Sequence, residues 1–148
     1  KVEPVIALLE APPKTPSALE RQKTYLPPLL DIVDSILSMM LSPETKLWAQ
    51  LILREQSHPT EAFDYLYEAY IGQVLGVLAE LVYQLHGQKN RHEARLIAIG
   101  IVGQVFVWRA AKASVMQFLL KDSLDEKSIV EIKNIVRKNI TAQLLHQE

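Results

Sequence analysis

Prolines occupy only the first part of this 148-residue chain, and glycines occupy only the rest. All eight prolines lie at or before Pro59, and all five glycines lie at or after Gly72. Because proline ends or kinks helices, the first part should form short helices, whereas the rest can form long ones. No segment shows the period-two alternation of apolar and polar residues that is typical of a strand. The sequence therefore predicts an all-α chain.

Capping residues and helix breakers set the expected boundaries. Ser17 with Glu20 forms a capping-box pattern, Ser42-Pro43 and Thr60 can each begin a helix, and Gly87 can end one. The residues that follow these signals have apolar side chains at helical spacing. About six helices are expected, at 2–10, at 18–41 with a break or kink at Pro27-Pro28, at 43–57, at 60–85, at 91–120 and at 126–145.

Composition and charge exclude several classes of protein. The net charge is −1 and no basic stripe appears, so these residues give no electrostatic reason to expect direct contact with nucleic acid. The chain has no cysteine, which suits a cytoplasmic protein. Its most apolar stretch, Leu96–Trp108, is much shorter than the ~20 residues of a membrane span, and the start carries no signal-peptide pattern. We expect no membrane association.

No set of side chains predicts catalysis, a metal site or a cofactor. Glu55 and His58 have the Glu-x-x-His spacing of di-iron bundles, but no second such motif occurs and Pro59 ends the helix there. His92-Glu93 is not followed by the second histidine of a zinc-protease helix, because Leu96 stands at that position. We therefore expect neither an enzyme nor a bound metal or cofactor.

Aromatic and polar residues on three long helices are candidates for a small-molecule cavity. Aromatic residues at helical spacing also fit a plain apolar core, and Arg54-Glu55 fits either a ligand anchor or a structural pair that ties helices together. A cavity here would be mostly apolar and would favour neutral or weakly anionic, partly aromatic molecules. The candidate ligand-binding residues are Trp48, Arg54, Phe63, Tyr67, Tyr70, Gln104 and Trp108.

The last two helices carry apolar residues on more than one side. A stripe of small residues runs along the helix at 91–120, and small residues allow another helix to approach closely. Such faces are buried either within a monomer or against a second copy, and we favour a homodimer joined by a four-helix interface. The candidate interface residues are Gly100, Gly103, Val107, Ala110, Ser114, Ile129, Ile132, Val136 and Ile140.

Three segments of this sequence resemble the C-terminal region of TetR-type transcriptional regulators. They are Leu51–Phe63 with the connection through Tyr67, the pair Gly103-Gln104, and Arg109-Ala110-Ala111. Within that superfamily the likeness is greatest to the CecR/YbiH subgroup, whose hallmark is a similar Arg-Glu…Pro-Thr-x-Ala-Phe segment. The resemblance covers essentially the whole chain.

The resemblance implies an effector-binding and dimerisation domain at 11–148, preceded at 1–10 by the end of a helix that links it to a DNA-binding head. This chain contains no such head, so DNA would be contacted only through a head outside it. The implied function is the regulatory domain of a TetR-like regulator, most often a repressor, that responds to a small and largely apolar effector. The alternative is a free-standing helical module that binds a ligand or a partner helix and has no role at DNA.

Overall fold

Every regular element in the part of the chain that the structure describes is helical. The computed structural model describes residues 2–12 and 16–145, so Lys1, residues 13–15 and residues 146–148 lie outside it. The elements are α1 (Glu3–Glu10), α2 (Ala18–Leu41), α3 (Lys46–Ser57), α4 (Glu61–Leu66), α5 (Gly72–Leu85), α6 (Arg91–Ala110), α7 (Lys112–Leu119) and α8 (Glu126–Leu145). A 3₁₀ turn at Pro43–Thr45 precedes α3, and a π-helical turn at Tyr67–Ile71 joins α4 to α5. The predicted all-α fold is confirmed.

The capping residues act as their sequence positions predict. The Ser17 hydroxyl accepts a hydrogen bond from the Glu20 backbone N–H, and the Glu20 carboxylate accepts one from the Ser17 N–H, which completes the capping box of α2. The Thr60 hydroxyl accepts from the Ala62 N–H at the start of α4. Gly87 has a φ of +69°, a backbone conformation that glycine adopts without strain, and α5 ends just before it.

Pro27 and Pro28, where the sequence predicts a break or kink, lie inside α2 and do not divide it. Tyr25, Leu29 and Leu30 flank the two prolines and are all buried in the core. Tertiary packing of a helix can outweigh the cost of the lost backbone hydrogen bonds. By length and composition alone α2 is long and apolar enough to cross a membrane, a property that it shares with core helices of soluble proteins. Here it is the central helix and packs against α3, α5, α6 and α8.

The helix predicted at 91–120 is two helices. α6 ends at Ala110, and α7 begins at Lys112 with its axis turned by 74°. Neither proline nor glycine stands at the break, so no local signal marks it. The Arg109 Nε donates to the Met40 carbonyl oxygen at 2.8 Å, which holds the end of α6 against the end of α2.

Helix α8 packs along α2 within the same chain. The Lys133 Nζ donates to the Ser38 hydroxyl at 2.6 Å, and Arg137 pairs with Asp34 on α2. At the far end, the His86 Nε2 lies 3.0 Å from the Leu144 carbonyl oxygen. These contacts place the buried face of α8 over the core.

Candidate functional site

Four helical segments surround an apolar cavity of about 520 Å³ on one side of α2. Such a volume lies within the range of small-molecule sites, roughly 300–1,000 Å³. The wall is formed by α2, α3, the π-helical turn with the start of α5, and α6. The lining residues are Ile36, Met39, Trp48, Ile52, Gln56, Tyr70, Ile71, Val74, Leu75, Ile99, Val102, Gly103 and Phe106.

The mouth of this cavity exposes large apolar side chains to solvent. Trp48, Tyr70 and Ile99 are 37%, 50% and 60% exposed, respectively. The rings of Trp48 and Tyr70 meet edge to face, with centroids 5.6 Å apart and planes at 85°. The two aromatic residues thus link α3 to the π-helical turn at the rim.

The π-helical turn positions part of the wall. A π turn inserts one extra residue into a helix, and such turns occur often at functional sites. Here the turn carries Tyr70 and Ile71, which both line the cavity. Gly72 follows the turn, and a Cβ atom at this position would lie 2.9 Å from both the Tyr67 backbone oxygen and a Tyr67 ring carbon. The local geometry therefore requires glycine at position 72.

The structure brings two of the seven candidate ligand residues into this wall, Trp48 and Tyr70. Phe63 and Tyr67 contact one another, with ring centroids 5.9 Å apart, outside the lining. Gln104 donates to the Gln143 side chain on α8 at 3.2 Å. The remaining two are Arg54, which lies in a neighbouring groove, and Trp108, whose indole nitrogen is buried without a hydrogen-bond partner among the described residues.

Sequence reasoning missed most of the lining residues, which are aliphatic. Ile52, Val74 and Val102 stand in the apolar faces of α3, α5 and α6, where helical spacing marks them as core. Periodicity identifies the apolar face of a helix but not the part of it that remains uncovered. The one amide side chain of the lining, Gln56, follows Arg54-Glu55 directly in the sequence.

Beside the cavity, the junction of α3 and α4 is held by one buried carboxylate. The Glu55 side chain is 0% exposed, whereas its neighbour Arg54 is 66% exposed and reaches the carboxylate at 3.4 Å. The Thr60 backbone N–H donates to Glu55 at 2.8 Å, and the Thr60 hydroxyl donates at 3.0 Å. Glu55 is therefore the buried partner of the pair, and it is bound mainly to the N-cap residue of the next helix.

These hydrogen bonds also determine the ionisation of Glu55. The donating Thr60 backbone N–H is the largest influence and holds the pKa of the carboxyl below its ordinary value of 4.5. Burial acts in the opposite direction, and the Thr60 hydroxyl and Arg54 add to the lowering. The carboxylate is charged at neutral pH.

A second cavity of about 450 Å³ lies under α1. It is lined by residues of α1 and α2 and shares Ile36 and Val74 with the larger cavity. Val5 of α1 is buried in the common core, where α1 packs against α5. Two side chains thus separate the large cavity from the space beneath α1.

The candidate interface residues fall into two groups. Ile132, Val136 and Ile140 are buried in the core of this single chain, because α8 packs on α2. Ile129 is half-buried. The residues of the small stripe are exposed, and nothing lies within 4 Å of a Cβ built at Gly100 or Gly103. The exposed stripe comprises Gly100, Gly103, Val107 and Ala110 on α6 and Ser114 on α7.

Across residues 2–12 and 16–145, no three or more histidine, aspartate or glutamate side chains are grouped so that they could hold a metal ion.

A family model described as "HTH-type transcriptional dual regulator CecR, C-terminal domain" matches residues 28–145. The match extends from within α2 to the end of α8, so it includes every element of the large cavity. The class of protein is thus the C-terminal regulatory domain of TetR-type transcriptional regulators, as the sequence resemblance predicted. Within that class, the chain belongs to the family of the CecR C-terminal domain. Neither a curated protein nor a solved structure matches the chain.

Proposed function

We propose that this chain is the effector-sensing and dimerisation domain of a cytoplasmic TetR-like transcriptional regulator, in which it has no catalytic role. The observation that carries the proposal is the apolar cavity of about 520 Å³ beside α2. Contiguous apolar surface of this kind, with an aromatic rim, is typical of a site for a small molecule. Family membership supplies the context, since the matched domain is that of a transcriptional regulator.

The large cavity lies next to the space under α1, and this supports a mechanism in which effector binding changes the position of the DNA-binding head. In this proposal α1 is the end of the linking helix. Ile36 and Val74 separate the effector cavity from the space under α1, so a guest that displaces them changes the support of that helix. The effector must bind one position of α1 more tightly than the other, because equal affinity for both would shift no population. Repression follows if the position without effector is the one that binds DNA.

The exposed face of α6 supports a homodimer. Leu96 and Val107 flank Gly100 and Gly103 on the exposed side of α6, and Gly103 also lies at the edge of the large cavity. Ile135 is an exposed apolar residue on α8. A second copy would therefore meet the small stripe of α6 and the outer side of α8. The buried residues Ile132, Val136 and Ile140 would support α8 from within and would not contact the partner.

The effector site can be tested with N-phenyl-1-naphthylamine, a neutral aromatic dye that fluoresces in apolar surroundings. We expect saturable binding of one dye per chain. Leu75→Trp adds a bulky ring to the cavity wall and should weaken binding at least about tenfold, which corresponds to ~1.4 kcal/mol. The matched control is Leu19→Trp, which makes the same substitution at an exposed position in the first turn of α2. Absent binding, or equal loss in both variants, would contradict the effector site.

The regulatory role can be tested in the protein expressed from its whole natural reading frame. A compound that fills the cavity should change the affinity of that protein for operator DNA, and Leu75→Trp should abolish the response without changing DNA affinity in its absence. A reading frame that encodes no DNA-binding head would contradict the role at DNA.

A further inference from the structure

We propose that the effector is an amphiphilic anion, whose apolar aromatic body fills the large cavity and whose acidic group lies in a basic groove next to it. The inference rests on the proposed effector site and assigns it a chemical class. It is narrower than the neutral or weakly anionic class expected from the sequence. The basic groove is defined here as the depression of about 780 Å³ between α3 and the end of α6.

The lining of the basic groove is strongly positive. It contains Lys46, Arg54, Arg109 and Lys112, together with His58, and no acidic residue belongs to it. The whole chain has a net charge of −1, so this is a local concentration of positive charge. Low-dielectric walls around charges of one sign raise the local concentration of the opposite ion.

Most of these cations have no anionic partner in the described part of the chain. Arg54 pairs with Glu55, whereas the ion pairs of residues 2–12 and 16–145 include neither Lys46, Arg109 nor Lys112. Like charges that share a groove without counter-ions repel one another. An anionic group bound among them would relieve that repulsion.

Arg109 is the best-positioned of the cations. Its Nε donates to the carbonyl oxygen of Met40, a residue that is fully buried, and this bond orients the guanidinium. The two terminal nitrogens make no hydrogen bond within the described residues. A fixed guanidinium with free terminal N–H groups matches a carboxylate, sulfonate or phosphate, which can accept two parallel hydrogen bonds.

The two compartments are adjacent, which is why one molecule can occupy both. Gln56 and Phe106 line the apolar cavity and the basic groove alike. The Gln56 amide nitrogen donates to the Ile52 carbonyl oxygen at 3.3 Å, and its second N–H can donate to the acidic group. The apolar cavity itself presents no cation, so the charge selectivity must come from the groove.

The proposal can be tested with two dyes that share one aromatic skeleton. 8-Anilinonaphthalene-1-sulfonate differs from N-phenyl-1-naphthylamine by its sulfonate group alone. At low ionic strength the unmodified chain should bind the sulfonate about tenfold more tightly, a charge-assisted hydrogen-bond contribution, and salt should reduce the preference. The double variant Lys46→Gln/Lys112→Gln should lose part of the preference, because two of the four cations are gone and Arg109 remains, and it should bind the neutral dye unchanged. It leaves Arg109 and its bond to Met40 in place.

The matched control is Lys127→Gln/Lys138→Gln, which removes two charges from exposed lysines on α8 and should keep the preference. If the neutral dye binds and the sulfonate gains nothing, the anion proposal is wrong and the effector site stands. If neither dye binds, the effector site fails and the proposal fails with it. A DNA duplex of random sequence tests the other use of the groove. If the duplex binds the unmodified chain, fails to bind Lys46→Gln/Lys112→Gln and displaces no dye, the groove binds a phosphate backbone and the proposal is overturned.

Discussion

Glu55 and Thr60 join two helices through a single buried carboxylate. Glu55 stands in the last turn of α3, and Thr60 is the N-cap residue of α4, which leads through the π-helical turn into the cavity wall. Both the backbone N–H and the hydroxyl of Thr60 donate to Glu55, at 2.8 and 3.0 Å. This contact orients α4 relative to α3, and with it the Trp48–Tyr70 pair at the cavity mouth.

Replacing Thr60 by valine should destabilise the chain. The substitution keeps the β-branched shape but removes the hydroxyl that donates to Glu55 and caps α4. The expected loss is about 1–2 kcal/mol of unfolding free energy, measured by urea denaturation. The control is Thr141→Val on α8, because the Thr141 hydroxyl makes no hydrogen bond within the described residues. Equal midpoints for the Thr60 variant and the unmodified chain would show that the junction contributes no stability.

The lowered pKa of Glu55 predicts acid sensitivity with a definite sign. Above about pH 4.5 the carboxyl is ionised in both the folded and the unfolded chain, so its full stabilising contribution is present. As the pH falls, the unfolded chain takes up the proton first, and the contribution disappears as the pH passes through the folded-state pKa. Glu55→Gln should therefore be less stable than the unmodified chain at pH 7, with a difference that shrinks below pH 4.5. A difference that stays constant down to the acid transition would contradict the lowered pKa.

Gly72→Ala should damage the cavity without a general loss of helix. A methyl group at position 72 would lie 2.9 Å from the Tyr67 carbonyl oxygen, so the π-helical turn must change and move Tyr70 and Ile71. We expect a loss of about 1–3 kcal/mol of stability from overpacking, together with weaker binding of N-phenyl-1-naphthylamine. The control, Gly76→Ala, has nothing within 4 Å of the new methyl group and should gain up to about 1 kcal/mol. Unchanged dye affinity in Gly72→Ala would show that the π-helical turn does not determine the shape of the binding site.

Gly100→Leu should weaken the homodimer selectively. Gly100 on α6 and Gly76 on α5 are both helical glycines with open space around them in the single chain. Both leucine variants should therefore retain the fold, and each should gain up to about 1 kcal/mol from helix propensity. Only the leucine at position 100 would prevent a partner helix from approaching the stripe. Sedimentation velocity should show a dimer for the unmodified chain and for Gly76→Leu, and a larger monomer fraction for Gly100→Leu. A monomeric unmodified chain would contradict the proposed interface.

Local signals in the sequence were sufficient for the fold class and most helix ends, but not for every helix boundary or for the site. Caps at Ser17, Thr60 and Gly87 act within one helical turn, so they can be read without tertiary information. The break at Ala111 has no such signal, and the continuity of α2 through Pro27 depends on burial by other helices. The cavity is harder to predict from the sequence, because it is the space that the apolar faces of several helices leave unfilled. Trp48 and Tyr70 could be named as candidate ligand-binding residues because they are aromatic. The aliphatic lining residues have the same helical spacing as core residues and cannot be told apart from them.

The central claim, that the cavity beside α2 is an effector site, can be tested most directly by the isoleucine methyl NMR signals of the chain. Ile36, Ile52, Ile71 and Ile99 line the cavity, whereas Ile132 and Ile140 lie in the core under α8 and serve as internal controls. Titration with N-phenyl-1-naphthylamine should shift the four lining signals in a saturable manner, give nuclear Overhauser contacts between these methyl groups and the dye, and leave the two control signals in place. Unmoved lining signals at saturating dye, or shifts confined to the methyl groups of α8, would contradict the account.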